Sequence, residues 1–143
     1  MGIFDGCPHS FHILVPRDEH AGISARAIAA TAENHLIKAG ISVAESLEEL
    51  RQVPGFPILV DHINISWESE NLVVIASNLA LWQLVVLDRK PDMRTLAKTW
   101  LAPTEVASAS RPQANDVLLD RMQSQLDLFI ASSRHANGSP HDE

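Results

Sequence analysis

From Asn71 to Leu87 the chain runs seventeen residues without a charge, and few architectures can hold such a segment. It falls short of the roughly 20 apolar residues that cross a bilayer, and Ser77, Asn78 and Gln83 interrupt it. Its β-branched clusters, Val73-Val74-Ile75 and Val85-Val86, predict one long strand, bulged near Ser77-Asn78, with helix as the alternative for its middle.

The flanking sequence reads as sheet as well. Pro57 to Trp67 alternates, with Leu59, Ile63, Ile65 and Trp67 on one face and Ile58, Val60, His62, Asn64 and Ser66 on the other; Asp61 interrupts the first face. Glu68-Ser69-Glu70-Asn71 connects this strand to the long one as a hairpin. Asp88 to Asp92 is a turn, after which Leu96, Lys98 and Trp100 alternate with Ala97, Thr99 and Leu101 in a third strand. Residues 102–113, rich in Ala, Ser and Pro, read as a loop.

Before this meander, Phe11 to Val15 is a short apolar run closed by Pro16, the mark of a buried strand. Ser24 can cap a helix whose apolar stripe is Ile28, Ala32, His35, Leu36 and Ala39, with Gly40 at a left-handed C-cap and Ile41 folding back on Leu36. A minor strand at Ile41-Ser42-Val43 follows. Ser46 to Glu49 has the capping-box spacing for a short helix that ends at Pro54-Gly55. From Ala114 a long amphipathic helix presents Leu119, Met122, Leu126, Phe129 and Ile130 on one face, with Asp116, Asp120, Arg121 and Gln125 outside it.

The expected fold is therefore α+β: a largely antiparallel sheet in the order β-α-β-α-β-β-β, then a C-terminal helix, with two long amphipathic helices laid on the sheet. The expected boundaries are a flexible N-terminus over 1–10, one domain over 11–135 and a disordered tail over 136–143. At 143 residues and 45% hydrophobic content, one domain of this size can bury a core.

Charge excludes one class of partner. The net charge is −7, and residues 41–70 carry Glu45, Glu48, Glu49, Asp61, Glu68 and Glu70 against Arg51 alone. Binding to nucleic acid rests on clustered Lys and Arg that release counterions from phosphates, and no such stripe exists. The lone Cys7 leaves no internal disulfide. Gly6-Cys7 resembles the end of a lipoprotein signal, but Met1 to Asp5 offers neither a basic start nor an apolar stretch. As written, the chain reads as cytoplasmic; with a shortened N-terminus it reads as periplasmic.

Chemistry-bearing patterns are sparse. His9 and His12, with His20 beside Asp18 and Glu19, outline a carboxylate-histidine site around the first strand, yet no helical i, i+4 His pair and no second Cys occur, so no metal is assigned. No serine lies in Gly-x-Ser-x-Gly, and the scattered glycines build neither a phosphate loop nor a dinucleotide fingerprint, so no catalytic residue and no cofactor is assigned either. A hairpin loop of two or four residues centred on Ser69-Glu70 makes paired positions sum to 139. Asp61 then faces Asn78 inside an apolar face, as a binding pair or as a structural hydrogen bond; a three-residue loop removes the pairing. With His62, these two are the candidate ligand-binding residues. Trp67, Trp82 and Trp100 fall on three consecutive strands and mark an interface if two lie exposed side by side.

The run Leu36 to Val43, then Pro54-Gly55-Phe56-Pro57-Ile58-Leu59-Val60, Thr99-Trp100 and a last helix ending Phe129-Ile130 resembles small bacterial envelope accessory domains similar to the N-terminal domain of TolB. The resemblance covers residues 11–135 in order of elements and implies a non-enzymatic accessory role in the cell envelope. It carries over no site residue.

Two functions stand against each other. One is a binding or assembly module that meets a protein partner, or a second copy of itself, through its sheet face or an open strand edge. The other is a small enzyme or metal- or ligand-binding domain, which requires at least three of His12, His20, Asp61 and His62 to converge.

Overall fold

A computed structural model describes residues 10–14 and 25–136. In chain order these form β1 (Ser10–Leu14), α1 (Ala25–Lys38), β2 (Ser42–Val43), α2 (Leu47–Leu50), β3 (Ile58–Trp67), β4 (Leu72–Leu87), β5 (Lys90–Leu101), β6 (Glu105–Ser110), a single 3-10 turn over Arg111–Gln113 and α3 (Ala114–Ala136). The fold is α+β. The expected flexible ends, apart from Ser10 in β1 and Ala136 in α3, lie outside the described residues, as do the Ser24 cap, His9, His20 and Cys7.

Local chemistry sets the helix ends. Gly40 takes φ 85°; its N–H donates to Ile37 O and that of Ile41 to Leu36 O, both at 3.0 Å, which is the Schellman pair that closes a helix C-terminus. Ser46 Oγ accepts from Glu49 N–H at 3.1 Å, while Glu49 Oε2 reaches back to Glu45 N–H at 3.0 Å, so α2 is capped from both directions.

The sheet runs β2-β1-β3-β4-β5, with β6 also on β4. β1 pairs parallel with β2 and β3, and every other pairing is antiparallel. Strand β4 organises it. Along one side it pairs with β3; along the other it pairs first with β6, through Leu72 to Ser77, then with β5, from Ala80 to Leu87. The 102–113 segment is thus not all loop. Its strand β6 is built of small residues with little strand propensity, and it forms because the first half of β4 otherwise leaves one row of backbone groups unpaired.

Three register details differ from expectation. β3 and β4 pair without interruption from Ile58↔Trp82 to Trp67↔Val73, so no bulge occurs near Ser77-Asn78. The irregularities lie between β4 and β5, at Leu81/Trp82 and Val86/Leu87. The first of these makes Thr99 an extra residue, which turns Trp100 to the face opposite Lys98 rather than the same one.

Both long helices lie on one face of the sheet. Ile28, Ala32 and Leu36 of α1 and Leu118, Met122, Leu126 and Phe129 of α3 form one core with Leu59, Val73, Ile75, Leu79 and Leu81 of the sheet. Trp100 meets Phe129 edge-on at 5.3 Å between ring centres. On the opposite face, a small cluster of Ala44, Leu50 and Ile58, flanked by Val53, Phe56 and Val60, covers one end only.

Candidate functional site

Within the helix-covered layer sits a buried polar group. Asp61 is 1% exposed and Ser77 and Gln125 are fully buried. Ser77 Oγ lies 2.7 Å from Asp61 Oδ1 and 3.0 Å from Gln125 Oε1. Gln125 Nε2 donates to Ser77 O at 2.8 Å and to Pro103 O at 3.2 Å, so the cluster ties α3, β3, β4 and the β5–β6 connection together. Asp61 Oδ2 is buried and has no hydrogen-bond partner among the described residues. Burial raises the Asp61 pKa to about 6, against the smaller opposing effects of the Ser77 hydrogen bond and the charge of His62.

This cluster departs from the sequence expectation in two respects. Paired positions of β3 and β4 sum to 140, so Asp61 faces Leu79 and His62 faces Asn78. The cause is the connection: Ser69 Oγ accepts from Asn71 N–H at 3.4 Å and from Leu72 N–H at 3.2 Å, and Glu68 N–H donates to Leu72 O at 3.0 Å, closing a loop of odd length. One residue of slip moves Asn78 to the other face and brings Ser77 beside Asp61. Gln125, expected outside α3, is fully buried, and Leu118 takes the core place expected of the partly buried Leu119. Glutamine is polar, so the apolar stripe by itself could not place it inward.

The face opposite the two long helices carries a different set. There β4 turns out Asn78, Ala80, Trp82, Leu84 and Val86, β5 turns out Arg94, Leu96, Lys98 and Leu101, and β6 turns out Val106 opposite Ala76. Leu101 is 55% and Val106 60% exposed. A recess of about 370 Å³ opens here over Val60, Ala80 and Leu101, rimmed by His62, Asn78, Trp82 and Lys98. Lys98 Nζ sits 5.2 Å from the Trp82 ring centre, and Asn78 Oδ1 accepts from Thr104 Oγ1.

The expected site residues are therefore divided. Asp61 points to the helices, whereas His62 and Asn78 point to the open face. His12 lies in β1 in register with Ile58, and His20 is outside the described residues. Among the described residues no three His, Cys, Asp or Glu side chains gather where they could hold a metal ion. The tryptophans do not form one patch: Trp100 contacts the core, Trp82 lies on the open face, and Trp67, at the far end of β3, is covered by the Arg111 guanidinium at 4.2 Å. His35, expected on the apolar side of α1, reaches α3, its Nε2 2.7 Å from Asp127 Oδ1. No helix among the described residues is long and apolar enough to cross a membrane.

No protein-family model matches the chain, and neither does any curated protein. Among solved structures, it is similar to a point variant of PelC from Paraburkholderia phytofirmans, a dodecamer, with TM-score 0.49 and 11% identity over 83% of this chain and 86% of that one. It is also similar to a minor lipoprotein from Acinetobacter baumannii, with TM-score 0.46 and 8% identity over 88% of this chain and 92% of that one. A second crystal form of the PelC dodecamer gives TM-score 0.43 and 13% identity, covering 91% and 89%.

Proposed function

We propose that this protein is a non-enzymatic binding or assembly module, an accessory protein that meets a protein partner through the face of its sheet opposite the two long helices. One observation carries this reading. Both long helices shield the same face, and the other presents Leu84, Val86, Leu96, Leu101 and Val106 to solvent around Trp82. Several large apolar side chains exposed on one face of a folded chain mark a contact site.

The face is favoured over the edge. Strand β5 pairs only with β4 among the described residues, yet it carries Pro91 and the charged Lys90, Asp92, Arg94 and Lys98 and is bulged at Thr99. Proline, charge and bulges on an outer strand are the devices that discourage strand addition. A second copy of the chain is the first partner to test.

Size-exclusion chromatography with light scattering over a rising concentration series tests the reading. The expected outcome is a concentration-dependent oligomer that Leu84→Lys with Leu101→Lys returns to monomer without loss of the circular dichroism spectrum. A wild type that stays monomeric throughout, and whose open-face amides show no NMR shift as concentration rises, rejects self-association through this face.

A further inference from the structure

We infer that Asp61, Ser77 and Gln125 form a proton-linked latch, in which a proton on Asp61 completes the hydrogen-bond chain that fastens α3 and the Ala102–Thr104 connection to the sheet. The argument is a count of hydrogens. Both amide hydrogens of Gln125 are committed, to Ser77 O and Pro103 O, so its Oε1 can only accept. Ser77 has one hydroxyl hydrogen, and two oxygens lie within reach of it, Asp61 Oδ1 at 2.7 Å and Gln125 Oε1 at 3.0 Å.

With Asp61 ionised, the two acceptors compete for that hydrogen, and Oδ2 holds its share of the charge with no partner in a buried site. With Asp61 protonated, its carboxyl donates to Ser77 Oγ and Ser77 donates to Gln125 Oε1. Every donor then has an acceptor, and the oxygen left unpaired is neutral. A single proton thus decides between a closed chain and a frustrated one.

The surroundings support a neutral acid. From β4 Asp61 meets Ser77, and α3 sends Gln125 into the same cluster, neither of which titrates. The charge that bears on it is that of His62, its neighbour in β3, which points to the open face and favours ionisation; the ion pair of α3 with β6, Arg121 with Glu105, is partly exposed. Burial outweighs the His62 effect and lifts the carboxyl pKa from 3.8 to about 6. The latch is therefore fastened at acidic pH and released as pH climbs through that value.

Release has a route to the open face. Gln125 holds Pro103 from below, and the next residue, Thr104, holds Asn78 on the rim of the recess, while Ala102 N–H is bound to Leu79 O at 2.9 Å. Loss of the Gln125 contact frees the connection that positions Leu101 and Thr104 beside that recess.

The test uses the full chain. Carbon-detected NMR titration of the Asp61 carboxyl is expected to give a midpoint near 6, and a midpoint near 4 overturns the inference. Amide hydrogen exchange, corrected for its intrinsic pH dependence, is expected to quicken in Ala102, Thr104 and the α3 turn around Gln125 on going from pH 5 to pH 7.5. In Asp61→Asn, whose amide can donate to Ser77 permanently, the same amides keep equal protection at both pH values; equal acceleration in the variant overturns the inference. If Asp61→Asn does not fold, Ser77→Ala serves instead, and is expected to abolish the pH-dependent difference, because it removes the hydroxyl that links Asp61 to Gln125; a difference that persists in that variant overturns the inference.

Discussion

Gly40 and Asp61 show how single residues set this fold in opposite ways. At φ 85° Gly40 holds a conformation that costs an L side chain roughly 1 kcal/mol, and a Cβ built there meets nothing within 4 Å. Gly40→Ala should therefore lower stability by about 1 kcal/mol in urea unfolding through backbone strain alone, with the native spectrum retained. Asp61 works through its proton. An acid whose pKa rises from 3.8 in the unfolded chain to about 6 in the native one binds protons more tightly when folded, so its contribution is fully present below 3.8 and is lost as pH rises through 6. Two units correspond to roughly 3 kcal/mol. Asp61→Asn should accordingly gain up to about 3 kcal/mol over the wild type at pH 7.5 and almost nothing at about pH 3; a gain that does not change with pH would contradict the linkage. Asp61 was visible in the sequence as a break in an apolar face, but its partner was not. The Ser69 hydroxyl fixes the loop parity, and parity decides whether Asn78 or Ser77 shares its face.

At the scale of elements, periodicity carried far. The alternation of Pro57 to Trp67, the β-branched clusters of the uncharged run and the spacing of Met122, Leu126, Phe129 and Ile130 all correspond to the observed β3, β4 and α3. Strand β6 was illegible because Glu105–Ser110 has one large apolar residue, Val106, and its pairing is demanded by β4 rather than by its own side chains. The Thr99 bulge was illegible for a related reason: it belongs to the mismatch between two strands and has no signature in either. Helix α3 depends on packing in the ordinary way. Phe129→Ala should cost about 3–5 kcal/mol, because it removes a fully buried ring and its edge contact with Trp100. Tryptophan fluorescence should report the change in the native state even before unfolding; an unaltered spectrum would place Trp100 elsewhere.

For the whole molecule, the consequential fact is asymmetry. A sheet with both long helices on one face leaves most of the other to water or to a partner, and there Leu84, Val86, Leu96, Leu101 and Val106 are exposed beside Arg94 and Lys98. Native protein should bind a hydrophobic fluorescent dye at pH 7, and Leu96→Lys with Val106→Lys should suppress that signal while the melting temperature holds; dye binding that rises only on unfolding would remove the basis for a contact face. Apart from β6, which segments form strands and helices was written in the chain, because side-chain periodicity and capping act over a few neighbours. So was the α+β class. Which face each strand turns to the helices, which polar groups meet beneath α3 and which surface stays open were decided only on folding, since they depend on loop parity, on a bulge and on β4 pairing different partners along its length, and these are properties of contacts between segments far apart in sequence.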